Sequence, residues 1–234
     1  MNFAFRTATQ VVFGRGEGSK VAAAVAPLGR RVFLVTGRSS LERAGALGTL
    51  AESLQKLGLD CERWGVAGEP DTPLADEGAR RVRESRCDVV LAVGGGSVLD
   101  AGKAVAALAT NPGAALDYIE EVGGGQPLAR PPLPLVAVPT TAGSGSEVTR
   151  NTVLRIPELQ VKRSIRSDLL LPRVAIVDPA LSATAPRSVA AAAGLDALTH
   201  LVEAYVSTGA QPTTDALILP GIRHALRGLR ALAT

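Results

Sequence analysis

The sequence predicts an α/β fold: a parallel-sheet, nucleotide-binding domain over residues 1–182, followed by the beginning of an all-helical domain over residues 183–234. Three observations predict it. Short apolar runs of strand length alternate with helix-length stretches, which calls for crossover connections and parallel pairing. Two of those runs lead straight into glycine-rich turns, and from Pro186 onward no strand signal occurs.

Taken in order, an extended piece at residues 11–13 precedes a helix-compatible segment at 17–28 and a buried strand at 32–35. A long amphipathic helix (40–57), a weaker strand (60–64) and a second helix (73–85) follow. The run CDVVLAV is a strand, 98–109 a helix, and LPLVAV a strand ending at Pro139. Between these last two lies a Gly- and Pro-rich surface loop at 120–134. Residues 152–156 and 174–177 read as further strands, with Lys162 on an extended segment between them. Pro186 suits a first helical turn and Pro212 starts another helix.

Composition excludes several functions. At 234 residues and 46% hydrophobic content a sizeable core is assured. The net charge of +3 comes from 25 basic and 22 acidic residues with no basic run, which argues against nucleic acid as a partner. Cys61 and Cys87 form no CxxC motif, so both are expected reduced and buried, as in a cytoplasmic protein. No signal segment opens the chain, and no stretch approaches a membrane span, so no membrane partner is expected.

Two turns carry candidate chemistry. After the strand at 89–93 come Gly94, Gly95, Gly96 and Ser97, then helix, with Asp100 three residues on. Glycines let a backbone approach a diphosphate, and the helix start offers free N–H groups. A tight turn with Ser97 as N-cap accounts for the same pattern. The spacing to Gly102 and Lys103 fits no P-loop, and no G-x-G-x-x-G occurs. The second turn, PTTAGSGSEVT at 139–149, places Thr140 and Thr141 at a strand's carboxyl end, where ligands lie in α/β sheets. Here too a helix capped by Ser144 or Ser146 is the alternative.

In GLDALTHLVEAY (194–205), Asp196 and His200 stand one helical turn apart, about 40° from each other, with Glu203 near the same line. This is the one place where a carboxylate and an imidazole can share a metal. The other histidine, His224, sits in an amphipathic helix as a surface or interface residue.

FGRG, VGGGSVLDAGKAVA, PTTAGSGSEVT, VKRSIRS, VDPALS and GLDALTHLVEAYVS, in that order, make the chain resemble the iron-containing (group III, metal-dependent) alcohol dehydrogenases, a family that includes maleylacetate reductases. The resemblance covers essentially the whole chain. It implies a cleft between the two domains, with Gly95, Gly96 and Ser97 on the pyrophosphate and Asp100 beside it. Thr140, Thr141 and Thr149 would line the nicotinamide side, with Lys162 and Leu181 completing the cofactor wall. Gly37 stands where many members carry an acid for the ribose. With Arg38, Ser39 and Ser40 following, NAD and NADP are both open.

Asp196 and His200 match two ligands of the family's catalytic divalent metal, iron first and zinc as the alternative. The family's two later histidines have no counterpart before Thr234, so a fragment or truncated product is expected. The implied reaction is hydride transfer between NAD(P) and an alcohol, aldehyde or ketone, or reduction of an enone acid. A dehydroquinate synthase-type lyase fits PTTAGSGSE less well. A non-catalytic remnant binding a dinucleotide is the reading from another class, and a homodimer is an open partner.

Overall fold

The computed structural model describes residues 2–37 and 45–233. Six strands form one sheet: β1 (Gln10–Phe13), β2 (Arg31–Gly37), β3 (Asp60–Val66), β4 (Val89–Gly94), β5 (Leu135–Pro139) and β8 (Val174–Val177). Their order is β1-β8-β5-β4-β2-β3, and every pairing is parallel. Both faces are covered, so the central strands are apolar along runs rather than at alternate positions, with Thr36 the buried polar exception on β2.

Alternate side chains divide between two core layers. Val32, Leu34, Val89, Leu91, Val93, Val136 and Val138 pack against α1 (Val21–Val25) and α2 (Ala46–Lys56). Phe33, Val35, Val90, Ala92 and Ala137 face the other way, toward α3 (Thr72–Ser85) and α4 (Gly96–Thr110). There Phe33 and Trp64 meet with ring centroids 5.7 Å apart. Helix α4 approaches the sheet closely because Gly102 faces it: a Cβ there would stand 2.7 Å from that of Ala92. A short α5 (Ala115–Tyr118) follows.

Several expectations are corrected. The segment at 17–28 is a 3-10 turn (Glu17–Lys20) leading into the short α1. The residues at 152–156 extend to β6 (Asn151–Ile156), which pairs antiparallel with β7 (Val161–Arg166) in a separate two-stranded sheet. Lys162 is thus on a hairpin strand. Of the 40–57 helix, Ala46–Lys56 is helical with Gly45 at its N-cap; residues 40–44, with Arg38 and Ser39, lie outside the described residues. Cys61 is exposed, not buried, because it stands near the start of β3 at the sheet edge; Cys87 is buried as expected.

After β8 come α6 (Pro179–Ser182), α7 (Arg187–Val206) and α8 (Pro212–Ala233), and α7 packs along α8. Two glycines bring them together, Gly194 against Leu229 and Gly221 against Leu201. Helix α7 has no fully buried residue, and Leu195, Val202, Tyr205 and Val206 lie open along it. The helix has 20 residues and an 18-residue window of mean hydropathy 1.2, so it is long and apolar enough to cross a membrane by length and composition. That corrects the expectation that no stretch approaches a span. Its alanines and leucines raise the average although Asp196, His200 and Glu203 interrupt the run.

Candidate functional site

Strand β4 ends at Gly94, and α4 begins two residues later. Gly95, not Ser97, stands at the N-cap, and no side chain caps the helix. Val98 makes the first bond back, to the Gly95 carbonyl, so the N–H groups of Gly96 and Ser97 head the helix at its positive dipole end. That is a ready anion site.

The loop after β5 presses onto this turn. Thr140 donates its N–H to the Gly94 carbonyl at 2.9 Å. A Cβ on Gly95 would stand 3.3 Å from Thr141 Oγ1, and one on Gly96 would stand 2.7 Å from Ser144 Oγ. On its far side the same loop meets α7: a Cβ on Gly143 would fall 2.6 Å from the Ala193 carbonyl oxygen. Backbone therefore touches backbone three residues before Asp196. No helix forms in this loop, which disposes of the capping alternative; the Ser146 hydroxyl donates instead to Asp100 Oδ1 at 2.6 Å.

A cleft of about 1010 Å³ opens between the glycine turn, the hairpin and α7. It gathers Gly96, Ser97, Asp100, Thr149 and Lys162 from one side with Asp196 and His200 from the other. His200 Nε2 lies 3.6 Å from Asp196 Oδ1, both side chains about half exposed, and Glu203 lines the same wall. The remaining candidates stand elsewhere. Thr141 lines a small apolar cavity against α7 and α8. Leu181 lines a third cavity, of about 380 Å³, with Gly16, Val93 and Val138. Gly37 closes β2 opposite Val66, and His224 is exposed on α8.

Leu181 is placed by Asp178. That carboxylate accepts from the N–H groups of Gly16 (3.1 Å), Gly18 (2.9 Å) and Ala180 (2.9 Å), tying the FGRG turn to the start of α6. Burial pushes its pKa up, but these donors and Arg15 outweigh burial and hold it below the ordinary carboxylate value.

Sequence reasoning missed the polar cluster under the cleft floor. Lys103 is almost fully buried and donates to the Thr149 carbonyl (2.9 Å), the Thr149 hydroxyl (3.0 Å) and the Asn151 carbonyl (2.9 Å). Burial lowers its pKa to about 8, against the pull of Asp100 and Glu147. Burial likewise raises both acids, with Ser146 and Lys103 opposing it at Asp100. A single lysine inside the alanine-rich run of α4 was the available signal, since a buried charge needs partners.

Comparison with known proteins follows the same outline. The family model described as "Iron-containing alcohol dehydrogenase" matches residues 8–179, and that of the "Fe-containing alcohol dehydrogenase family, C-terminal" matches 190–234. Long-chain-alcohol dehydrogenase 1 of Geobacillus thermodenitrificans is 38% identical over 218 residues, 93% of this chain and 54% of its own. A crystal structure of 1,3-propanediol oxidoreductase superposes with a TM-score of 0.91 at 37% identity, covering 100% of this chain and 60% of the other. Sulfoacetaldehyde reductase from Bifidobacterium kashiwanohense in complex with NAD+ gives a TM-score of 0.90 at 30% identity, covering 100% and 61%. The chain spans about half the length of the curated relatives it matches.

Proposed function

The chain belongs to the iron-containing alcohol dehydrogenase family, and from that premise we propose that it serves hydride transfer between NAD or NADP and a small alcohol, aldehyde or ketone. One observation carries the proposal: the glycine turn and the Asp196–His200 pair line a single cleft. In this reading the N–H groups of Gly96 and Ser97 hold the pyrophosphate, Thr149 flanks the nicotinamide half, Lys162 stands on the cofactor wall between them, and the cavity at Leu181 receives the adenosine end. The boundary to the helical part falls near residue 183.

Asp196 and His200 fit a divalent metal as half of a site. They present one oxygen and one nitrogen donor a helical turn apart, but among the described residues no group of three metal-capable side chains converges. These two residues would hold iron or zinc with donors from elsewhere; such a metal polarises the substrate oxygen and lowers the alcohol's pKa. The chain's own contribution is to orient the two reactants across the cleft and to fix their separation.

The open apolar side of α7 supports a second reading, a dinucleotide-binding protein that works with a partner covering that side. Two titrations separate the readings. NADH fluorescence is expected to report binding that Asp196→Ala and His200→Ala leave within about twofold, since neither touches the glycine turn. Cobalt(II) absorption is expected to fall at least about tenfold in affinity for either variant. Cobalt binding that survives both substitutions removes the metal from this cleft, and a chain that takes up no NADH overturns both readings.

A further inference from the structure

The rim of the cleft carries two ion pairs that differ in what they do for the fold. Arg155 Nη2 lies 3.0 Å from Asp71 Oδ2, while Asp71 Oδ1 caps α3 at the Leu74 N–H, 3.0 Å away. An isolated bridge joins Asp71 and Arg155 as well. Arg155 and Asp71 are thus committed to joining the turn before α3 to β6. Lys162 and Glu69 also pair, across 93 residues of sequence, but both side chains are about half exposed. Among the described residues the Glu69 carboxylate caps no helix and accepts from no backbone N–H.

Charge makes the second pair consequential. Among the described residues, Glu69, Asp100, Asp196 and Glu203 line the cleft against only Arg155 and Lys162, an unfavourable balance for an anionic ligand. With Arg155 engaged at Asp71, Lys162 is, among the described residues, the cleft cation whose flexible stem can turn to a ligand, and Glu69 is the group it would leave. An exposed ion pair is weakly held, so exchange of one partner for another is easy.

We propose that Glu69 sets the cleft's affinity for its dinucleotide: by pairing with Lys162 at the rim it competes with the anionic cofactor, so removing Glu69 tightens binding while removing Lys162 loosens it. The inference rests on the reading of the cleft as a dinucleotide site. It also makes affinity respond to salt, because both terms act through solvent.

NADH titration of the folded chain, followed by nicotinamide fluorescence, tests it in the wild type, Glu69→Gln, Lys162→Met and the double variant. Glu69→Gln is expected to bind roughly threefold to tenfold more tightly at low ionic strength, and Lys162→Met to bind more weakly by a similar factor. In the Lys162→Met background Glu69→Gln is expected to give a clearly smaller gain, and about 0.5 M salt to shrink both effects. A pair that merely supported the fold would weaken binding from either side. Glu69→Gln binding no better than wild type, while Lys162→Met loosens, overturns the competition and leaves the dinucleotide reading standing. Lys162→Met binding unchanged overturns both the competition and the place of Lys162 on the cofactor wall, and a wild type that takes up no NADH overturns the whole reading.

Discussion

Replacing Lys103 with methionine is expected to cost the fold about 3–5 kcal/mol, the range for breaking one side of a buried charge pair. Methionine keeps most of the stem's volume, so the loss is electrostatic and hydrogen-bonded rather than steric. The Thr149 and Asn151 carbonyls lose their ammonium donor, at about 1–3 kcal/mol for each group left unsatisfied. Asp100 and Glu147 lose their nearest cation. Against a usual total of about 5–15 kcal/mol this is a large fraction, and urea unfolding followed by circular dichroism measures it.

The pH dependence of that loss has a definite sign. The folded pKa of Lys103, about 8, lies below the ordinary 10.5, so between these values the unfolded chain binds more protons than the native one. Wild-type stability therefore gains from Lys103 as pH rises through this window, by up to about 3 kcal/mol at its top. Methionine has no such term, and other groups ionising in the range cancel between the two proteins. The gap between wild type and Lys103→Met is expected to widen from about pH 7 to about pH 10. A constant gap would show that the ammonium is solvated.

Replacing Gly96 with valine is expected to lower NADH affinity at least about thirtyfold, roughly 2 kcal/mol. The first added carbon meets Ser144 Oγ at 2.7 Å and Ser144 Cβ at 2.9 Å. The hydroxyl can rotate away, but the Cβ belongs to the loop and must move with it. Beyond that, the branched side chain would stand in the cleft where the helix start must approach a diphosphate. Fluorescence titration with NADH, beside a melting curve that confirms folding, decides it. Affinity within about threefold of wild type would take the glycine turn out of the binding site.

Much of this was legible in the chain because each legible part has a local cause. Strands β2, β4 and β5 are buried on both faces, so they read as unbroken apolar runs. Asp196 and His200 share a helical face by spacing alone, and their closeness follows. The start of α4 was misjudged because its cap, Gly95, supplies no side chain, leaving Ser97 to look like one.

Other features depended on contacts distant in sequence. The Ser-x-x-Glu pattern after Ser144 suggested a capped helix, yet Ser146 gives its proton to Asp100, 46 residues away. The β6–β7 turn hides because Gln160, not glycine or asparagine, takes the left-handed position at φ 53°. Lys103 entered only as a failed match to a phosphate loop. Its partners lie 46 and 48 residues further on, across a strand and a long loop, and no local period announces them.

The contact of Gly143 with Ala193 has a mechanical consequence. Main chain meets main chain there, with no compressible side chain between to absorb a displacement. Movement of the 139–149 loop toward the helix behind it is therefore passed on to that helix, and movement of the helix toward the loop is passed back. The two walls respond as one lever whose short arm is a single carbonyl oxygen.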